Sequence, residues 1–479
     1  MKRFAVRPVP LAVACGIGSA AFLSTGVQAA GFSLIEHGAS GLGNAYAGAG
    51  AVAADGSTIF FNPAGIVELE NSQFAGAFHL LDSNTDFTDE GSTTALALGG
   101  DELSGPDTAS PGTTVLLPNL YYVNKVDERL SWGVGFGIPF GSSTEYDHDW
   151  KGRYITTKSG ITVYDINPAL GYRVNEQISV GLGLSVQVLT AELESAIDSG
   201  AACLGVASQG SSFTTTDCVN AGLTPNRQEV DSYGEVTGES VAGSFNLGLQ
   251  YSPIDTLRIG VAYRHGVDHE LDGEGDFTVN PQLQATLDSN DPAASTPEAA
   301  ALAAGLFRDT DASAEVDLPS TFSISGAWQA YDRLQLLADI TWTGWSSLHE
   351  IRVTYDNPVQ PDTETLQEWE DVMRYSFGVN YDLNSKMRLR GGVAYDEEAI
   401  PGPYRRTPRI PGNDRTWIAL GLGYQATGNL SFDVGFTHLM LDETPIDNTH
   451  EESPGGPVLR GTYDSSVDIL SAQINWKFK

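Results

Sequence analysis

The 479-residue chain is poor in positive charge: 26 Lys and Arg stand against 61 Asp and Glu, a formal net charge of −35. Binding nucleic acid requires clustered Lys and Arg to neutralise phosphates, and no such cluster occurs, so that class of partner is excluded. Charge of either sign is sparse at 18%, and with 9% aromatics and 53 glycines this is not the composition of a disordered chain. Cysteine is scarce too. Cys15, Cys203 and Cys218 form neither a C-x-x-C nor a Cys-His spacing that would hold zinc. No G-x-S-x-G elbow occurs, and the histidines are scattered. His265 and His269, in "HGVDHE", do not reproduce H-E-x-x-H, because Glu270 follows the second His and the context reads as extended. The acidic run at 272–277 reads as a solvated strand end rather than a calcium loop. These absences predict no enzyme, no cofactor and no metal centre.

Long hydrophobic runs are confined to the N-terminus. Lys2, Arg3 and Arg7 precede an apolar stretch at 9–23, and "VQA" closes it, the pattern of a signal peptide over 1–29 cut after Ala29. Beyond it, no apolar run approaches the roughly twenty residues of a membrane-spanning helix. An exported chain enters an oxidising compartment, where Cys203 and Cys218, in a Gly/Ser/Thr-rich segment, read as a loop disulfide; two unrelated thiols are the alternative.

What the sequence has in abundance is period-two alternation. In "FGVNYDLNSKMRLRGGVAY" (377–395), Phe377, Val379, Leu389 and Val393 share one face, while glycine, asparagine and arginine share the other. Short polar connections such as "YRVNEQIS", "YDLNSKMR" and "YQATGNLS" alternate with long loops rich in Gly, Ser, Thr, Pro and Asp. Strands are expected from 72–82, 115–125 and 130–140, through an unbroken 257–279, to 463–478. Short turns on one side, long loops on the other and an export signal are the pattern of an outer-membrane barrel, whose closed sheet pairs every backbone group. The fold class is therefore all-β, a transmembrane antiparallel barrel of 14 strands. A soluble sandwich would also alternate, but would not carry glycine and charge on the second face.

Parity points Leu420, Phe436 and Leu470 toward lipid and puts Trp328, Tyr381, Tyr424 and Trp476 in aromatic girdles near strand ends. It points Arg258, Arg264, Arg374, Arg388 and Arg390 into the lumen, with Asp339, Asp396 and Asp433. Arginine can grip a carboxylate through two parallel hydrogen bonds. Arg264, Arg374 and Arg390 are the candidate head-group site, chosen because they lie away from the short turns. Lumen carboxylates compete for the same guanidinium groups. In "WGVGFGIPFGSSTEY", Pro139 falls inside a strand between Gly137 and Gly141, where a ladder must bulge or break.

The Gly/Ala-rich segment before the first strand is too long to be a leader and too apolar to be a solvated arm. Its "AGFSLIEHGASGLGNAYAGAGAVAADGSTIFFNPAG", with the later "LPSTFSISGAW" and "RRTPRIPGNDRTWIALGLGY", resembles the FadL-type outer-membrane transporters of long-chain fatty acids and other hydrophobic compounds. The resemblance spans residue 30 to the C-terminus. It implies an N-terminal hatch over 30–71 plugging a barrel over 72–479, with Asn62, Pro63 and Ala64 as its most specific motif. It further implies passive uptake: loop capture, lumen binding, and lateral exit where Gly137, Pro139 and Gly141 kink the wall. Leu116, Leu117, Leu302, Leu306 and Phe307 are the candidate loop contacts, the last three on a short helix expected over 297–307. The expected partners are a hydrophobic ligand, outer-membrane lipid and lipopolysaccharide, and the protein is expected to be a monomer. Monoaromatic hydrocarbons remain an alternative cargo; a general porin or a surface adhesin are alternatives of other classes.

Overall fold

A computed structural model of the chain describes residues 31–448 and 456–478. The expected signal peptide lies outside the described residues. The wall is a single antiparallel sheet closed on itself into 14 barrel strands. They are β1 (Ser72–Asp89), β2 (Thr114–Lys125), β3 (Leu130–Glu145), β4 (Lys158–Arg173), β5 (Ile178–Ile197) and β6 (Ser232–Ile254). Next come β7 (Leu257–Arg264, resuming as Val267–Thr278), β8 (Thr310–Leu318 and Thr321–Tyr331) and β9 (Leu334–Thr343 and Glu350–Tyr355). The last are β10 (Val372–Asp382), β11 (Met387–Asp396), β12 (Arg415–Gln425), β13 (Leu430–Leu441) and β14 (Arg460–Phe478). Closure is made by β1 on β14, from Ser72↔Phe478 to Asp89↔Gly461.

The expected outward faces are exposed. Phe377, Leu420, Phe436 and Leu470 lie on the outer wall, with Tyr381, Tyr424 and Trp476 near its short-turn end. The inner face carries Asp339, Asp396, Asp433 and the arginines. Several strands run past their expected ends, β1 by seven residues to Asp89. The continuous strand expected over 257–279 is interrupted at His265–Gly266. β8 breaks at Pro319–Ser320 and β9 beyond it at 344–349, where a 3-10 turn carries the buried Trp345.

The segment 31–71 folds inside the barrel as three single-turn helices and a 3-10 turn, nearly all of it buried. It seats by close backbone approach to inward-facing glycines of the wall. A Cβ on Gly181 would lie 2.2 Å from Ala64 N, one on Gly260 2.1 Å from Gly50 O, and one on Gly392 2.2 Å from Asn44 O. Small inward residues are what a plug in contact with the wall requires. Asn62 pins it. Its Oδ1 accepts from Ala64 N at 3.1 Å, while Nδ2 donates to Gly50 O at 2.8 Å and to Leu249 O of β6 at 3.1 Å. Pro63 follows at the first position of the 3-10 turn, where its missing N–H costs nothing. The second Asn-Pro-Ala, at 167–169, lies in β4. There Asn167 Nδ2 donates to Leu184 O at 2.6 Å, beside the point where Pro168 interrupts the pairing with β5.

Above the membrane band, the loops pack a helical cap. Cys203 and Cys218 are joined in a disulfide between its first two helices, Ser199–Ser208 and Thr215–Asn220. The expected short helix is present as Pro297–Gly305. A second brace is a lysine cage. Lys151 Nζ sits 2.9, 2.8 and 2.6 Å from Asp89, Glu102 and Asp107. Burial works against this ammonium, and the hydrogen bonds it donates to Asp107, Glu102 and Asp89 override it, holding its pKa above the usual lysine value.

Candidate functional site

Pro139 does what its chemistry demands. The β3–β4 register shifts between Gly137 and Phe140, and β3 pairs with β2 only from Leu120↔Phe136 to Lys125↔Ser131. Thr114–Asn119 of β2 therefore has no ladder partner on β3 among the described residues, a gap in the wall. The free edge of β3 is taken instead by the start of the hatch. Leu34 N donates to Pro139 O at 2.8 Å, and Gly141 N donates to Phe32 O at 2.9 Å. Asn119 reaches across the gap and donates to Glu36 O at 2.6 Å. Gly137 is required here, since its Cβ would fall 2.4 Å from Asn119 Oδ1.

Behind the gap lies a cavity of about 1000 Å³, lined by Leu34, Phe60, Phe61, Pro139, Phe140, Val372 and Trp417 together with Arg264 and Arg374. Arg264 is buried. Its Nη2 donates to Phe60 O and to Asn167 Oδ1, both at 3.2 Å, Nη1 lies 3.5 Å from Asp165, and the guanidinium stacks 4.4 Å from the Phe60 ring. Arg374 is less completely held. Nη2 donates to Ala45 O at 2.9 Å, and Nε lies 2.7 Å from Asp396 Oδ1 at an angle too poor for a directed hydrogen bond. Its Nη1 has no hydrogen-bond partner among the described residues. Asp396 Oδ2 instead accepts from Trp417 Nε1 at 2.7 Å, and that ring lies 5.0 Å from the Arg374 guanidinium. A guanidinium with a spare buried donor in an apolar chamber can accept a carboxylate.

A second cavity, of about 940 Å³, lies on the loop side and is lined mainly by apolar groups including Phe32, Ile161, Val236, Leu271, Val316 and Ile410. Phe32 faces this one and Phe140 the other, their rings 6.0 Å apart, so the two chambers abut. Phe32 also packs 4.9 Å from Trp345, which meets Trp369 at 4.9 Å. A third cavity, of about 1540 Å³, opens among the loops and shares Thr363, Thr365, Thr407 and Arg409 with the apolar chamber.

The expected residues divide. Arg264 and Arg374 share a chamber, but Arg390 does not, and the reason given for choosing it is corrected. It lies beneath the hatch in a polar cavity of about 1070 Å³ with Lys386, Arg388 and Asp382, its Nη1 2.8 Å from Asp433. Of the loop contacts, Phe307 lines the outer cavity, while Leu302 and Leu306 pack into the helical cap around the disulfide. Leu116 and Leu117 are not loop contacts, since both lie in β2, within the strand expected over 115–125. Alternation sends Leu116 outward to lipid and Leu117 into the lumen core. Missed by sequence reasoning were Phe32, Phe60, Phe140 and Trp417; for Trp417 the signal was its inward parity beside Ile418.

The sequence profile of the family described as outer membrane protein transport protein (OMPP1/FadL/TodX) matches residues 20–478. The chain belongs to this family. Outer membrane protein P1 of Haemophilus influenzae is 29% identical over 434 residues, covering 86% of each chain. A long-chain fatty acid transport protein of Escherichia coli is 26% identical over 426 residues, covering 88% of this chain and 89% of that one. The crystal structure of a Pseudomonas aeruginosa FadL homologue superposes with a TM-score of 0.81 at 23% identity, over 94% of this chain and 100% of the other. The monoaromatic hydrocarbon channel CymD shares the fold at a TM-score of 0.61 and 17% identity, over 93% of this chain and 99% of the other. Like its OMPP1/FadL/TodX relatives, the protein is an outer-membrane barrel of the Gram-negative envelope, a transporter with a lumen lined for hydrophobic compounds.

Proposed function

We propose that the protein takes up long-chain fatty acids, or amphiphiles of the same chemistry, passively across the outer membrane. Ligand collects in the outer cavity beside Phe307 and passes into the apolar chamber. Its chain lies against Phe32, Ile161 and Leu271, and its carboxylate meets Arg264 and Arg374 in the chamber below. It then leaves sideways through the unpaired stretch between β2 and β3. The observation that carries this reading is the pair of arginines lining one mainly apolar cavity, with Arg374 Nη1 lacking a hydrogen-bond partner among the described residues and only Asp396 beside them as a lining carboxylate. An aromatic hydrocarbon has no charge to use them. The route downward is disfavoured for an apolar chain, because Arg388, Arg390, Asp382 and Asp433 line the space beneath the hatch.

Radiolabelled oleate and toluene binding, measured on the purified protein in a non-fatty detergent, tests the assignment. Saturable oleate binding that weakens in Arg264→Ala/Arg374→Ala supports it. Toluene binding indifferent to both substitutions moves the cargo to hydrocarbons. No saturable binding of either, with a large steady conductance, brings the porin reading forward; without that conductance, the adhesin reading follows.

A further inference from the structure

The β2–β3 gap is not alone among the described residues. β6 and β7 pair from Ile254↔Leu257 to Asn246↔Arg264, and pairing resumes only at Glu239↔Asp272. Residues 240–245 and 265–271 face each other with no ladder pair. Asn246 to Glu239 is seven steps and Arg264 to Asp272 is eight, so the β7 side carries one extra residue here. Bonds cross at the lower end: His265 N donates to Phe245 O at 3.0 Å, and the Ser244 hydroxyl donates to His265 O at 2.8 Å and lies 3.3 Å from Gly266 O. The other edges of both strands stay paired, Val241↔Val188 on one side and Val267↔Leu318 on the other. Both strands are thus held on their far edges and open only toward each other; the β8–β9 ladder lapses as well, between Ala314↔Val353 and Thr321↔Thr343.

Its position matters. The rungs run Gly137↔Asp165, Asp165↔Gln187 and Gln187↔Ala242, so the seam lies on the rungs of the β3 kink, three strands further round. From above it is flanked by Val236, Gly238 and Leu271 of the apolar chamber, and from below by Asn246, Leu247 and Arg264 of the cationic one. Ala242 packs against the apolar core that contains Phe32. On the outside Val241 is 72% exposed, Leu247 below it faces lipid, and Glu239 and Glu270 above it are exposed, so the seam spans the upper edge of the lipid-facing band. Above the Ser244 contacts, the inner face is barred by a side-chain bond: buried His269 Nε2 lies 3.3 Å from Gln187 Oε1, across the Ala242 position. Unpaired backbone in lipid costs several kcal/mol per group, so a seam of this length persists only where it borders a filled or wet lumen.

We propose that the β6–β7 seam is a second lateral window, barred by His269 and Gln187, through which apolar chains exchange between the lumen and the outer half of the membrane. The proposal rests on the transport reading above and adds a route to it. The seam explains why both chambers end at the same place in the wall.

The test is a cysteine clamp, Ala242→Cys/His269→Cys, in a Cys203→Ala/Cys218→Ala background so that reductant acts on the clamp alone. Oleate uptake into proteoliposomes and equilibrium oleate binding are measured with the clamp oxidised and reduced. Uptake that falls several-fold on oxidation and recovers on reduction, with binding unchanged, supports the window. Uptake indifferent to the clamp overturns it while leaving the transport reading intact; loss of binding in both states of the wild-type chain would instead sink the transport reading. Should the clamp not fold, hydrogen exchange on the native chain in lipid nanodiscs decides. Exchange at 240–245 and 267–271 far faster than at 184–189 is expected, and equal protection overturns the window.

Discussion

Seating of the hatch makes the sharpest structural prediction. An alanine at Gly181 would place its Cβ 2.2 Å from Ala64 N and 2.3 Å from Pro63 C, both backbone atoms of the 3-10 turn. Neither can swing aside as a side chain would, so the turn must lift from β5. Overpacking of this kind costs about 1–3 kcal/mol. Lifting the turn also strains the Asn62 bond to Leu249 O, worth about 1 kcal/mol. A total near 3 kcal/mol raises the unseated fraction about a hundredfold. Gly160→Ala is the matched control, because a Cβ there meets nothing within 4 Å. Single-channel recording in planar bilayers should show frequent large openings for Gly181→Ala and none above the wild-type level for Gly160→Ala. Equal traces for Gly181→Ala and wild type, with equal melting temperatures, would refute the close-approach argument.

Other perturbations follow from the same geometry. Lys151→Met leaves Asp89 buried among carboxylates, and since Glu102 and Asp107 are largely exposed only that contact weighs heavily; a loss of about 2–3 kcal/mol in loop stability is expected by differential hydrogen exchange. Cys203→Ser/Cys218→Ser opens a loop of sequence separation 15 and should destabilise the helical cap by about 3 kcal/mol, with the barrel's own melting temperature unmoved. Burial, opposed by Arg406, pushes the Glu398 carboxyl up to about 6 from 4.5. A raised folded-state pKa stabilises below pH 4.5 and loses that contribution as pH rises through about 6, so the loop at 397–414 should exchange more slowly at pH 4.5 than at pH 7 after correction for intrinsic rates. The difference amounts to about 2 kcal/mol and should vanish in Glu398→Gln.

Alternation along the strands was legible because one side chain in two faces lipid, and lipid tolerates only apolar groups there. Phe377, Leu420 and Leu470 were therefore readable one by one, as were the inward Arg264 and Arg374. Pro139 was legible for a different reason, since a residue without an N–H cannot sit in a closed ladder. What was not legible depends on height along the barrel. Parity gives the face of Arg390 but not its level, and only the fold shows it below the hatch while Arg374 lies above. Leu116 and Leu117 lie inside the strand expected over 115–125 and so could not both face a loop ligand, because alternation sends one to lipid and the other to the lumen. The seam at 240–245 leaves no local signature at all: those residues still pair with β5, and the extra residue sits on the partner strand, separated from them by a loop.

Comparing oleate with oleyl alcohol tests the central claim most directly, because the two share a chain and differ in the carboxylate. A charge-assisted hydrogen bond in a buried site contributes about 1.5–3 kcal/mol, so oleate should bind roughly ten- to hundredfold more tightly than the alcohol to the wild-type protein. In Arg374→Ala that advantage should largely disappear, with alcohol binding unchanged. Equal affinities for acid and alcohol in the wild type, or an acid preference that survives loss of both Arg264 and Arg374, would contradict the account.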